Sequence, residues 1–120
     1  MASSGGVLID LILLFDRLEN RVSELEPQST EYQFADSLRL EILEILARRD
    51  ITTIDNDGSL FDPSTQKAIA TNEAHDESLH NRVAKVIRRG FKFRQDRIIR
   101  PDEVIVFVYN RTEESSESLE

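Results

Sequence analysis

VLIDLILLFDRLENRVSELE, residues 7–26, decides how the rest of the chain is read. Leu8, Leu11, Phe15, Leu18, Val22 and Leu25 recur at alternating steps of three and four. That heptad spacing predicts a helix from about Val7 to Glu26, stopped by Pro27. The first half of the stretch also carries Val7, Ile9, Ile12, Leu13 and Leu14, which spread beyond a single stripe. A helix apolar on most sides must be covered on most sides. A chain of 120 residues builds only a limited core, so a second copy of the chain is the expected cover. The apolar run Val7 to Phe15 does not read as a membrane or targeting segment: Asp10 interrupts it, it is far shorter than the roughly 20 residues of a membrane span, and it shows no basic leader.

Beyond Pro27-Gln28-Ser29 the periodicity resumes. Thr30 followed by Gln33 reads as a capping box. The helix it opens runs to about Arg49, with Phe34, Leu38, Ile42 and Ile45 as its stripe and Leu43 and Leu46 beside it. Arg48 and Arg49 suit its negative C-terminal end. Two amphipathic helices with so short a connection form an antiparallel hairpin, and two hairpins form a four-helix bundle. The expected dimer interface is Leu11, Phe15, Leu18 and Val22 on the first helix, with Phe34, Leu38, Ile42 and Ile45 on the second.

After Asp50 the pattern changes. Ile51-Thr52-Thr53-Ile54 is short and β-branched, Asp57-Gly58 reads as a turn, and 82–93 alternates in part with a break at Gly90. Ile98-Ile99 precedes Pro101, and Val104 to Val108 is a continuous apolar run of the kind found in buried strands. The expected fold is therefore α+β: a helical hairpin over 7–50 that dimerises into a four-helix bundle, then a small all-β domain over 51–110. Residues 1–6 and 111–120 read as flexible tails.

Charge is unevenly placed. Eight cations lie between Arg82 and Arg100 against one acid, Asp96, a local balance of +7 in a chain of net −8, which leaves −15 elsewhere. Such polarity suits a basic face for a partner on an otherwise acidic molecule. There is no cysteine, which removes disulfides and thiolate metal sites and fits a reducing, cytoplasmic setting. Asp55-Asn56-Asp57-Gly58 fails as a calcium loop, because Thr53 and Ser64 occupy the positions of its first and last acidic ligands. His75 and His80 match no zinc spacing. With four glycines and no serine elbow, neither a phosphate-cradling loop nor a nucleophile is visible, so no catalytic residue, metal or cofactor is expected. Arg89-Gly90-Phe91-Lys92-Phe93 partly matches the basic-glycine-aromatic signature of RNA-binding sheets. Lys92 stands where that signature has a small residue, and the acidic total opposes phosphate.

Taken together, the segments resemble the GrpE family, nucleotide exchange factors of DnaK-type chaperones. Leu11-Ile12-Leu13-Leu14-Phe15-Asp16-Arg17-Leu18-Glu19 is similar to that family's "LLPVLDNLE", with Leu13 for its proline. Ile54-Asp55, Gly58 and Phe61-Asp62-Pro63 are similar to the entry to its β domain, and Ala68-Ile69 closes its "FDPxxHxA" signature. Val83, Val86, Gly90-Phe91, Arg97-Ile98-Ile99-Arg100-Pro101 and Val104 follow its "GY…RVLRP…V" end. The resemblance implies a homodimeric co-chaperone, not an enzyme, whose β domain holds open the nucleotide-binding cleft of a DnaK-type chaperone so that ADP leaves. By position it implies chaperone contacts at Arg97, Arg100, Ile87 and Val106. Three departures stand out. Gln66 replaces the signature histidine and Lys67 a frequent glutamate. The turn Phe93-Arg94-Gln95-Asp96 is one residue longer. The long helix that precedes "LLPVLDNLE" in typical members is not matched, so roles tied to it, in thermal sensing and in contact with the chaperone's substrate region, are expected to be missing or weakened. A paralogue retained as a scaffold or regulator without exchange activity is the alternative, and a single-stranded RNA module the more distant one.

Overall fold

The computed structural model describes residues 3–54 and 58–110, with 3–5 as backbone only. The expected tail at 111–120 and most of the turn at 55–58 lie outside the described residues. Helix α1 spans Ser3–Glu24 and α2 spans Thr30–Ala47. Six strands follow among the described residues: β1 (Ile51–Thr53), β2 (Gln66–Glu73), β3 (Val83–Arg88), β4 (Phe91–Phe93), β5 (Arg97–Arg100) and β6 (Asp102–Val108). A short 3-10 turn, Glu77–Leu79, lies between β2 and β3. The arrangement is α+β, helices first and sheets after.

Helix α1 begins four residues before its predicted start at Val7. Extending an existing helix gains a hydrogen bond per residue, which offsets the propensity cost of Gly5 and Gly6, about 1 kcal/mol each relative to alanine. Helix α2 is capped one residue earlier than the capping-box reading has it. Ser29, extended at φ −76° and ψ 154°, accepts the Tyr32 N–H at 3.0 Å. That cap leaves Glu31 in the first turn, where its charge meets the positive end of the helix. Ser29→Ala is expected to cost the hairpin about 1 kcal/mol, read as an earlier loss of helical circular dichroism on heating. The connection is tight, and Arg39 ties the helices together, reaching Asp36 at 2.7 Å on its own helix and Glu19 of α1 at 3.4 Å.

Three-stranded sheets form in the orders β1-β4-β5 and β2-β6-β3. Strand β6 is central in the second, parallel to β2 and antiparallel to β3. Its apolar run packs as the sequence suggests: Val104 and Val106 are buried with Val83, and Phe61 and Val86 close the cluster. Its alternate residues Glu103, Ile105 and Phe107 are half-buried. Strand β2 leaves only Gln66 buried and runs on exposed to Glu73. Gly58, at φ 75°, adopts the left-handed backbone that favours glycine. Contacts divide the chain into two compact units, Met1–Thr52 with Phe93–Gln95, and Thr53–Lys92 with Asp96–Glu120.

Candidate interaction surface

The helical unit hides one face and leaves another bare. Ile12 and Phe15 of α1 and Ala35, Ile42 and Leu46 of α2 are buried within the chain, Phe15 completely. A residue already at 0% exposure cannot be a contact for a second copy, so Phe15 is core, and Ile42 nearly so. The bare face is a groove lined by Leu11, Leu14, Leu18, Leu38, Ile42 and Ile45, with Val7 and Leu8 extending it beside Arg49. Phe34 stands 65% exposed. Val22, also expected at the interface, is half-buried. Of the expected interface stripe, Phe15 and Ile42 are therefore spent on the chain's own packing, because that packing uses the i and i+3 positions that a bundle seam would also claim.

The basic segment also separates into roles. Arg82 reaches two carbonyls, Ser78 O at 3.3 Å and Gly58 O at 3.2 Å, and so secures turns. Arg100 donates from Nε to Arg89 O at 2.9 Å while its guanidinium lies over the Phe91 ring, 5.4 Å from the centroid. It anchors the strand. Arg88 faces Glu103 at 3.4 Å across the β3–β6 pair. Arg94 packs over Phe93 and lies 3.8 Å from the Asp50 carboxylate. Lys85, Lys92 and Arg97 carry no ion pair among the described residues, and Lys85 and Arg97 are exposed.

Of the four expected contact residues, Arg97 opens β5 at the surface and Ile87 of β3 is 44% exposed. Val106 is 5% exposed in the valine cluster and packs rather than contacts. Ile87 and Arg97 lie in different sheets, yet each is three residues from one junction, where Gly90 meets the backbone of Arg100 to Asp102. Three strand residues span about 10 Å, so both belong to the neighbourhood of that junction.

Two functional candidates escaped the sequence reading: Gln66 and Asp102, buried at 4% and 1% exposure. The Asp102 carboxylate accepts the Gly90 N–H at 2.6 Å and the Gln66 side-chain amide at 3.4 Å, and the Gln66 carbonyl accepts the Asp62 N–H at 2.8 Å. Asp62 caps the turn before β2 by accepting the Ser64 N–H and hydroxyl, at 3.0 and 2.7 Å. Those two bonds, the hydroxyl's first, hold its carboxyl below the ordinary 3.8. An acid opening an apolar strand straight after proline was the available signal for Asp102. Gln66 showed only as a departure from a signature.

The same geometry weighs against base stacking. Phe91, the aromatic an RNA sheet would present, is 0% exposed beneath Arg100. Among the described residues no three histidine, aspartate or glutamate side chains are grouped to hold a metal ion. Nor is any helix among them long and apolar enough to cross a membrane.

Comparison with known proteins agrees with this layout. The sequence model of the GrpE family matches residues 3–108, from the first turn of α1 to the end of β6. Protein GrpE of Ehrlichia canis is 31% identical over 99 residues, covering 81% of this chain and 48% of that protein. Protein GrpE of Lactobacillus johnsonii is 39% identical over 56 residues, 47% of this chain and 29% of that protein. Protein GrpE of Rhodopirellula baltica is 36% identical over 69 residues, 58% and 34% respectively. The matches span about half the length of these relatives or less. Because one family match runs through both helices and all six strands, the chain belongs to the GrpE family.

Proposed function

We propose that the chain is a nucleotide exchange factor for a DnaK-type chaperone, a cytoplasmic co-chaperone that works by binding and without catalysis of its own. The observation that carries this reading is the family match through both units, joined to a surface where Arg97 and Ile87 stand exposed on strands whose core is complete without them. A protein that speeds ADP release needs no reactive group. It must bind the open nucleotide cleft better than the closed one, and linkage then requires that nucleotide weaken its own binding by the same factor. A wedge of packed strands suits that task, since it keeps its shape while the partner yields.

In this reading Arg97 supplies a charged contact and Ile87 an apolar one, Arg100 and Val106 support them from within, and the bare helical groove pairs with that of a second copy. Arg97→Ala leaves folding unchanged, because the side chain is exposed and unpaired among the described residues. It is expected to weaken binding to the nucleotide-free chaperone about tenfold or more, in the range of an interface hot spot. Titration calorimetry on the folded variant checks this; an unchanged affinity removes Arg97 from the contact.

A further inference from the structure

In its last third the chain passes between its two sheets twice, at Arg89-Gly90 from β3 to β4 and at Pro101 from β5 to β6. The two passages meet. Gly90 N–H donates to Asp102, Arg100 Nε donates to Arg89 O, and Gly90 lies so close to the backbone of 100–102 that no side chain fits between. The turn before β2 joins them through Gln66, whose own N–H donates to Asp62 O at 2.9 Å, while Asp102 N–H donates to Thr65 O at 3.1 Å. Three segments thus converge on one buried amide–carboxylate pair.

We propose that Gln66 and Asp102 are positioning residues for the contact surface, fixing the junction from which β3 carries Ile87 and β5 carries Arg97. This rests on the exchange reading above and adds to it the groups that set the geometry of the wedge. The pair has a direction. Asp62 N–H is a donor and a carboxylate only accepts, so the Gln66 amide must turn its oxygen to Asp62 and its nitrogen to Asp102. Every side-chain group in the chain of bonds is then satisfied, and buried polar networks fix geometry when complete and lose it when broken.

Direction makes the proposal testable by exchange of the two side-chain types. In Asp102→Asn the new amide still accepts from Gly90, but its nitrogen faces the Gln66 nitrogen, donor against donor. Adding Gln66→Glu restores a full set of bonds: the new carboxylate accepts from Asp62 N–H and from the amide introduced at position 102. Val83→Ala, a cavity in the nearby valine cluster, serves as a control for loss of stability alone. Two readouts apply: exchange of the Gly90 amide hydrogen in the free protein, and the concentration of each protein giving half-maximal release of labelled ADP from a DnaK-type chaperone.

The expected result is faster Gly90 exchange in Asp102→Asn and a half-maximal concentration raised about tenfold. Both return close to wild type in the double variant, while Val83→Ala melts earlier yet keeps its half-maximal concentration. Should Asp102→Asn not fold, the double variant decides, since it must be folded and active. The proposal is overturned if Asp102→Asn behaves as wild type, if the double variant fails to recover, or if Val83→Ala raises the half-maximal concentration equally. A wild-type protein that releases no ADP at any concentration overturns the exchange reading itself, and the positioning role with it.

Discussion

Gly90→Ala is expected to destabilise the strand-built unit strongly. A methyl group at that position falls no more than 2.6 Å from three backbone atoms, Asp102 N, Pro101 C and Arg100 O. Backbone on all three sides leaves no flexible side chain to move aside, and Pro101 stiffens the segment that would have to retreat. Relief therefore requires the two passages to separate. That breaks the Gly90–Asp102 bond and leaves a buried carboxylate oxygen unsatisfied. Overpacking and the lost bond together cost at least about 3 kcal/mol, a large part of the 5–15 kcal/mol by which domains are ordinarily stable. Urea denaturation and proteolysis of the strand-bearing residues check it; a variant as resistant as wild type would show that the junction is looser than its geometry.

Leu14→Asp is expected to break the proposed dimer into monomers. Leu14 is half-exposed in the single chain and lines the apolar groove with Leu11, Leu18, Leu38, Ile42 and Ile45, so the substitution removes little from the chain's own core. In a bundle of two hairpins the same position is covered from both sides. An unpaired carboxylate there costs on the order of several kcal/mol per dimer, enough to raise the dissociation constant by about a hundredfold or more. Sedimentation at micromolar concentration checks both halves of this prediction. The wild type is expected at twice 13.8 kDa and the variant at 13.8 kDa with its helical signal retained. A wild type that sediments as a monomer would remove the bundle.

What the sequence discloses here follows from how strongly each segment is constrained by burial. The α1 stripe and the run Val104 to Val108 are legible because many apolar neighbours demand one period. Val104 and Val106 are indeed interior, with Glu103, Ile105 and Phe107 half-covered on the other face. Strand β2 was legible only as the Ala68-Ile69 end of a signature, since Lys67 to Glu73 lie exposed at a sheet edge and nothing forces an alternating pattern on them. The α2 cap slipped by one because Ser29 and Thr30 are both competent caps and only the chain's exit from Pro27 chooses between them. At the candidate site, Arg97 and Ile87 were named from a resemblance and are exposed, whereas Val106 was named the same way and is core. Resemblance carries position but not direction of the side chain, which along a strand changes with every residue. The Gln66–Asp102 pair was hidden for a different reason. Its partners are 36 residues apart, and no local pattern announces that two polar groups will be buried together.

If a strand-built tip prises open another protein's nucleotide cleft, the effect is visible in a single kinetic trace. Stopped-flow release of fluorescent ADP from a DnaK-type chaperone, followed against rising concentration of this chain, reads it without intermediaries. The release rate is expected to climb and saturate, with excess unlabelled nucleotide driving the chain off the chaperone. A rate unchanged across the whole range would contradict the wedge.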